Sequence, residues 1–189
     1  MVALFIVGEP GVGKTTLVRG LLGANARGEL PIDSSLVPKP KWTLVNTRLG
    51  NIAAAGHYTG APFDGGDSVP YNGVAEALNY VAERKGELSL VVFDGDRFSN
   101  SGVQATLRLL DFELACVRID LPSEQAEQRR KARAEAAVAK LQNESWVKGR
   151  RTKSQRFSET FEDLIVLDGS RASAELLDDL YEFLEGLGR

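Results

Sequence analysis

Gly8-Glu9-Pro10-Gly11-Val12-Gly13-Lys14-Thr15 spaces a glycine, four residues, then glycine, lysine and a hydroxyl residue, directly after the apolar run Val2 to Val7. The run before it reads as a strand and Thr15 to Leu22 after it as a helix, the setting in which this spacing forms a phosphate-binding P-loop. The glycines let the backbone close round a polyphosphate with successive N–H groups turned inward, and the following helix adds the positive end of its dipole. Gly8, Glu9, Pro10, Gly11, Val12, Gly13, Lys14, Thr15 and Thr16 are therefore the candidate nucleotide contacts. Among them Lys14 reaches the outer phosphates and Thr15 ligates magnesium.

A chain of 189 residues with 43% hydrophobic content is large enough for one domain with its own core, without disulfides or structural metal. One Cys and one His make no structural zinc site. Cys116, inside the apolar run Leu114 to Val117, reads as a buried thiol in a reducing cytoplasm, that of the host if the source is viral. Met1 to Val7 lacks the basic start of a secretory leader, and no apolar run approaches the ~20 residues of a membrane span, so no membrane partner is expected. The net charge of −3 is uneven: from Arg129 to Arg156 ten Lys/Arg face only Glu135 and Glu144, a local +8 against −11 elsewhere. That segment reads as an anion site, for phosphates in an active centre or for a nucleic-acid backbone, since a merely solvated helix face mixes signs at i,i+4.

Gly23 to Pro40, with Pro31, Pro38 and Pro40, reads as a loop over the cleft without regular structure. Trp42 to Arg48 and Asn51 to Ala55 read as two strands about Leu49-Gly50. Gly56 to Pro70 is a long glycine-rich loop holding His57, Asp64 and Asp67, and loops of that length in a compact domain carry function. Asn72 is placed to cap a helix from about Gly73 to Arg84. Leu88 to Phe93 is the continuous apolar run of a central strand, ending at Asp94 where open α/β sheets bind ligands. Asp94 fits a Walker-B-like role, as partner of Thr15 and magnesium or as acceptor of a hydroxyl proton, with a capping or turn aspartate as the structural alternative. A helix from Ser101, a strand from Phe112 to Ile119 and a helix from Glu124 to about Leu141 follow. Arg129 and Arg133, four apart, share a face able to aim two guanidinium forks at one phosphoryl group. Asn143 to Arg156 reads as a basic connector, Leu164 to Leu167 as the last strand, and the chain from Ser173 as an amphipathic helix. This alternation predicts one doubly wound α/β domain over 1–189, with a parallel sheet and a basic, helical, lid-like insertion at about 124–157.

On Gly8 to Thr15, on Asp94-Gly95-Asp96-Arg97-Phe98 and on Leu121 to Arg133, the chain resembles the nucleoside-monophosphate and deoxynucleoside kinase branch of P-loop proteins, thymidylate kinases included. A narrower likeness covers Gly56 to Gly60, Phe63 to Ser68, Asn72 to Val74, Gly95 to Phe98 and Lys148 to Lys153. These stretches are similar to the bacteriophage P-loop kinases that phosphorylate 5-hydroxymethyluracil in DNA. Gly66 and Ser68 depart from that pattern, standing where it has threonine and arginine.

The resemblance implies ATP and Mg2+ as cofactors and transfer of the γ-phosphoryl group to a hydroxyl on a base in DNA. Free deoxynucleoside monophosphates are the alternative acceptors, and an NTPase module without an acceptor is a further alternative. Lys14, Asp94, Arg97, Asp67, Arg129 and Arg133 are the catalytic candidates, with Thr15 and Asp94 on the metal. His57, Asp64, Asp67, Arg97, Arg150 and Arg151 are the substrate-contact candidates. For Asp64 and Asp67 the structural alternative is turn chemistry beside glycine, and for His57 a structural histidine. Partners on this reading are ATP and either DNA carrying a modified pyrimidine or a free deoxynucleotide. Oligomeric state and the choice of ATP over GTP leave no signature.

Overall fold

The computed structural model describes residues 1–60, 64–136 and 142–187. Along Val2–Val7 (β1), Ala3, Phe5 and Val7 face one side and Leu4 and Ile6 the other, and all five are buried. A strand apolar on both faces must be covered on both, and β1 accordingly lies inside a seven-stranded sheet with helices above and below. The other strands are Ser35–Pro38 (β2), Lys41–Thr47 (β3), Gly50–Ala55 (β4), Leu90–Asp94 (β5), Glu113–Asp120 (β6) and Asp163–Asp168 (β7). Their order is β2-β3-β4-β5-β1-β6-β7. From β4 to β7 the neighbours pair in parallel; β2 with β3 and β3 with β4 are antiparallel.

Lys14–Leu21 (α1) and Ser173–Leu187 (α6) cover one face through Leu17, Val18, Leu21, Leu176, Leu180 and Leu184. Val74–Glu83 (α2), Ser101–Leu109 (α3) and Glu144–Ser158 (α5) cover the other, whose centre is aromatic. There the Phe5 ring lies 5.3 Å from Phe93, 5.4 Å from Phe157 and 5.3 Å from Phe161, in tilted and edge-on arrangements. Such pairs add about 0.5–1.5 kcal/mol beyond their area burial. Ser123–Ala136 (α4) leaves the end of β6 and inserts Ala126 into the first core. Cys116 is buried, and burial pushes its thiol up to about 12, which makes it inert. No helix among the described residues is long and apolar enough to cross a membrane.

The sheet is mostly parallel, as expected of a doubly wound α/β domain, with an antiparallel edge that the β3–β4 hairpin brings beside β5. Three sequence-based expectations need correction. Ser35–Pro38, read as loop, is the edge strand β2, which ends at its proline and so loses no ladder donor to a central neighbour. The stretch 143–156, read as a connector, is most of α5: Asn143 caps it by accepting from the Ser145 N–H, and Val147, Ser154 and Phe157 bury one face. Asn72 makes no cap; it lies in a 3-10 turn, Tyr71–Gly73, that precedes α2. The expected end of the preceding helix at Leu141, Lys140 of the basic segment and Phe63 of the loop lie outside the described residues.

Candidate active site

Gly8, Gly11 and Gly13 adopt φ values of 149°, 93° and 105°. A Cβ would stand 2.6 Å from the Ile119 carbonyl oxygen at Gly8 and 2.8 Å from that of Ala126 at Gly11, so backbone conformation and space both demand glycine. The Lys14 ammonium donates to the carbonyls of Gly8 and Glu9, each at 3.0 Å. Burial lowers its pKa, against the pull of Asp94 and its neighbours. The register Ile6↔Asp94 sets Asp94 beside the end of β1. There Thr15 Oγ1 donates to Asp94 Oδ2 at 2.9 Å. Burial raises the Asp94 carboxyl to about 6, although Lys14 and the Thr15 hydroxyl both favour its charged form.

No group of three or more His, Cys, Asp or Glu converges among the described residues. The Thr15 hydroxyl and Asp94 carboxylate are instead a partial set of hard oxygen donors. This suits Mg2+, which keeps several waters and takes other oxygens from a bound phosphate.

Helix α4 supports the loop from below with two adjacent arginines that do different work. Arg129 donates to the carbonyls of Val12 at 3.4 Å and Gly169 at 3.0 Å. Arg130 is buried and donates to the Pro10 carbonyl at 3.0 Å. Neighbouring helical residues differ by about 100° in direction, so Arg133, one turn beyond Arg129, is the one that joins it in the cleft wall.

The segment 64–68 closes the other side against the end of β5. A Cβ on Gly65 would stand 2.9 Å from Asp94 Oδ2, 3.1 Å from the Tyr58 ring and 3.2 Å from the Thr15 methyl. One on Gly66 would overlap the Asp94 carbonyl oxygen. These contacts account for glycine at 66. Asp67 follows in the cleft wall, two-thirds exposed, with its carboxylate 3.9 Å from Arg97 Nε.

Asp64, Arg97, His57 and Arg151 do not line the cleft. Asp64 Oδ2 takes the Arg19 guanidinium at 2.6 Å and the Gly60 N–H at 2.7 Å. Arg97 donates to the Val69 carbonyl and lies 4.7 Å over the Tyr71 ring. His57 Nε2 sits 2.7 Å from the Val37 carbonyl of the edge strand. Arg151 turns to Ser123 Oγ. Arg150 does reach the cleft, with Nη1 2.6 Å from Asp96 Oδ2 and its guanidinium 4.9 Å over Trp146; Lys153 adds a second cation 3.8 Å from Asp96.

Sequence reasoning missed Arg130, Asp96, Tyr71 and Trp146. Asp96 had a signal, two residues from Asp94 in the same turn. The two aromatics are 70% and 41% exposed in the cleft wall, and nothing in their spacing marks them.

The assembled cleft has a volume of about 480 Å³ and runs from the P-loop past Asp94 to Tyr71 and Trp146. A family model described as P-loop Nucleotide Kinase3 matches residues 2–171. Comparison with curated proteins gives no match. Among solved structures, a gluconokinase from Sinorhizobium meliloti 1021 is 15% identical with a TM-score of 0.55, over 98% of this chain and 93% of that one. A sugar kinase from Janibacter sp. HTCC2649 is also 15% identical, with a TM-score of 0.56 over 98% and 95%. At such identity the likeness is one of fold.

Proposed function

From the premise that the chain belongs to the P-loop nucleotide kinase family, we propose that it transfers the γ-phosphoryl group of ATP to the hydroxymethyl oxygen of 5-hydroxymethyluracil in DNA. The acceptor assignment is carried by the two exposed aromatics in the cleft wall, each beneath an arginine: Tyr71 under Arg97 and Trp146 under Arg150. A flat base stacks on such surfaces, at about 1–3 kcal/mol per base.

The whole chain acts as one kinase domain, with about 124–157 as its lid. The backbone N–H groups from Gly8 to Thr16, all but that of Pro10, which has none, hold the triphosphate, and Lys14 leaves its resting carbonyls for the β- and γ-oxygens. Thr15 and Asp94 would hold magnesium, which would supply charge neutralisation at the outer phosphates. Asp67 orients the acceptor hydroxyl, and Arg97 fixes Asp67 and Tyr71 in place. Arg129, Arg133 and Arg150 meet the charge on the transferring group. Positioning and electrostatics supply most of the acceleration, because a loose phosphoryl transition state asks little covalent chemistry of the protein.

The test offers γ-labelled ATP with three acceptors: a hydroxymethyluracil oligonucleotide, its unmodified counterpart and free deoxynucleoside monophosphates. Label is expected in the first alone. Label confined to the monophosphates, or released only as inorganic phosphate, overturns the reading.

A further inference from the structure

We propose that the outer face of α5 is a track for the phosphate backbone of a single DNA strand, whose acceptor base enters the cleft past Trp146. The proposal rests on the DNA acceptor assigned above and adds the surface that grips the polymer.

Helix α5 carries five cations, Lys148, Arg150, Arg151, Lys153 and Arg156, against one acid, Glu144. Helical spacing splits them into two sets. Arg150 and Lys153 point inward to Asp96. Lys148, Arg151 and Arg156 are exposed and fall within an arc of about 140° on the opposite side.

Among the described residues none of these three has an ion-pair partner within 4.0 Å. Arg151 donates to Ser123 Oγ with one of its five N–H groups. Glu159, just past the helix end, accepts instead from Gln155. On α4, by contrast, Lys131 is paired with Glu127 at 2.6 Å one turn away. An uncompensated cationic stripe on a chain of net charge −3 is matched to a polyanion.

The stripe also has the right length and place. From Lys148 to Arg156 the axis rises about 12 Å, long enough for the three cations to meet successive phosphates of one strand. Trp146 lies in the first turn of the same helix, with its ring in the cleft wall. A base reacting inside a cleft must leave its stack, which favours a single strand.

The experiment measures binding of a short unmodified single-stranded oligonucleotide by fluorescence anisotropy across a salt series, for wild type and for Lys148→Ala/Arg156→Ala. Three phosphate contacts predict a slope of log K against log salt near −2, or about 20-fold weaker binding from 50 to 200 mM salt. One remaining contact predicts a slope near −0.7 and about a threefold loss. Affinity for a non-hydrolysable ATP analogue stays at the wild-type value, and KM for the oligonucleotide acceptor rises while kcat does not fall.

An unchanged slope and KM in a variant whose parent labels DNA overturns the track and leaves the acceptor assignment standing. Absence of labelled DNA with wild type strikes the assignment, while the slopes, measured without transfer, still decide the track. Equal affinity and slope for duplex of the same sequence overturns the single-strand part.

Discussion

Replacing Gly66 by alanine tests how the segment proposed to position the acceptor is seated. The new methyl would stand 3.0 Å from the Asp94 carbonyl carbon and overlap its oxygen, inside the ~3.5–4.0 Å at which carbon atoms rest. Either the loop or the strand must therefore give by about 1 Å. The strand is held, because Asp94 is in register with Ile6 on β1 and the Gly95 N–H donates to the Ile6 carbonyl at 3.1 Å. The loop moves instead and takes Asp67 with it.

Overpacking of this kind costs about 1–3 kcal/mol, which for a chain of this size lowers Tm by roughly 4–8 °C at 2 kcal/mol. A displacement of about 1 Å at a reacting group costs on the order of 100-fold in rate, equal to about 2.7 kcal/mol. The assay is kcat/KM for labelled-phosphate transfer to the modified oligonucleotide, beside calorimetric melting and titration with an ATP analogue. Nucleotide affinity stays within about threefold, since Asp94 and the P-loop keep their places. A variant with wild-type melting and wild-type transfer would show that the loop is not seated on Asp94.

Gly149→Ala, the matched control, has nothing within 4 Å of the added methyl and lies inside α5; it should raise stability by about 0.5–1 kcal/mol in the same melting assay. In the role proposed for it Asp94 works ionised, so with its carboxyl raised to about 6 the wild-type kcat/KM should climb about tenfold per pH unit below that point and level above it; Asp94→Asn should lower the rate and abolish the limb. In folding the raised pKa acts oppositely: the native state binds the proton more tightly than the unfolded chain, so stability falls as pH rises from 3.8 to about 6. At pH 8 without magnesium Asp94→Asn should therefore unfold at higher denaturant, by on the order of 1–3 kcal/mol. Arg130→Met keeps the buried stem but strands the Pro10 carbonyl, and denaturant titration should register a loss of about 1.5–3 kcal/mol.

The parts of this site that were legible in the sequence are those fixed by short-range spacing. Gly8 to Thr15 declares itself because every residue in it serves one loop. Leu90–Asp94 declares itself because a strand covered on both faces is a continuous apolar run. Arg129 and Arg133 were placed together by their spacing of four, yet Arg130 was invisible. Its direction depends on the rotational setting of α4, which is fixed by the burial of Ala126 four residues earlier. The strand β2 escaped because an exposed edge has no burial alternation to read. Helix α5 escaped because its inward face is polar except at Val147 and Phe157, and its anchor to the sheet, Asp96, lies 54 residues before Arg150.

The segment 64–68 stands on the P-loop side of the cleft. Arg19, which holds Asp64, belongs to the helix that begins at Lys14, and Asp94, against which Gly65 and Gly66 rest, is the partner of Thr15. His57 adds a tie to the edge strand through the Val37 carbonyl. With Asp67 in the role proposed for it, moving the segment to another P-loop scaffold would need Arg19, the end of β5 and the edge strand brought along. A change of acceptor would on that reading be sought at Asp67 itself rather than by exchanging the segment alone.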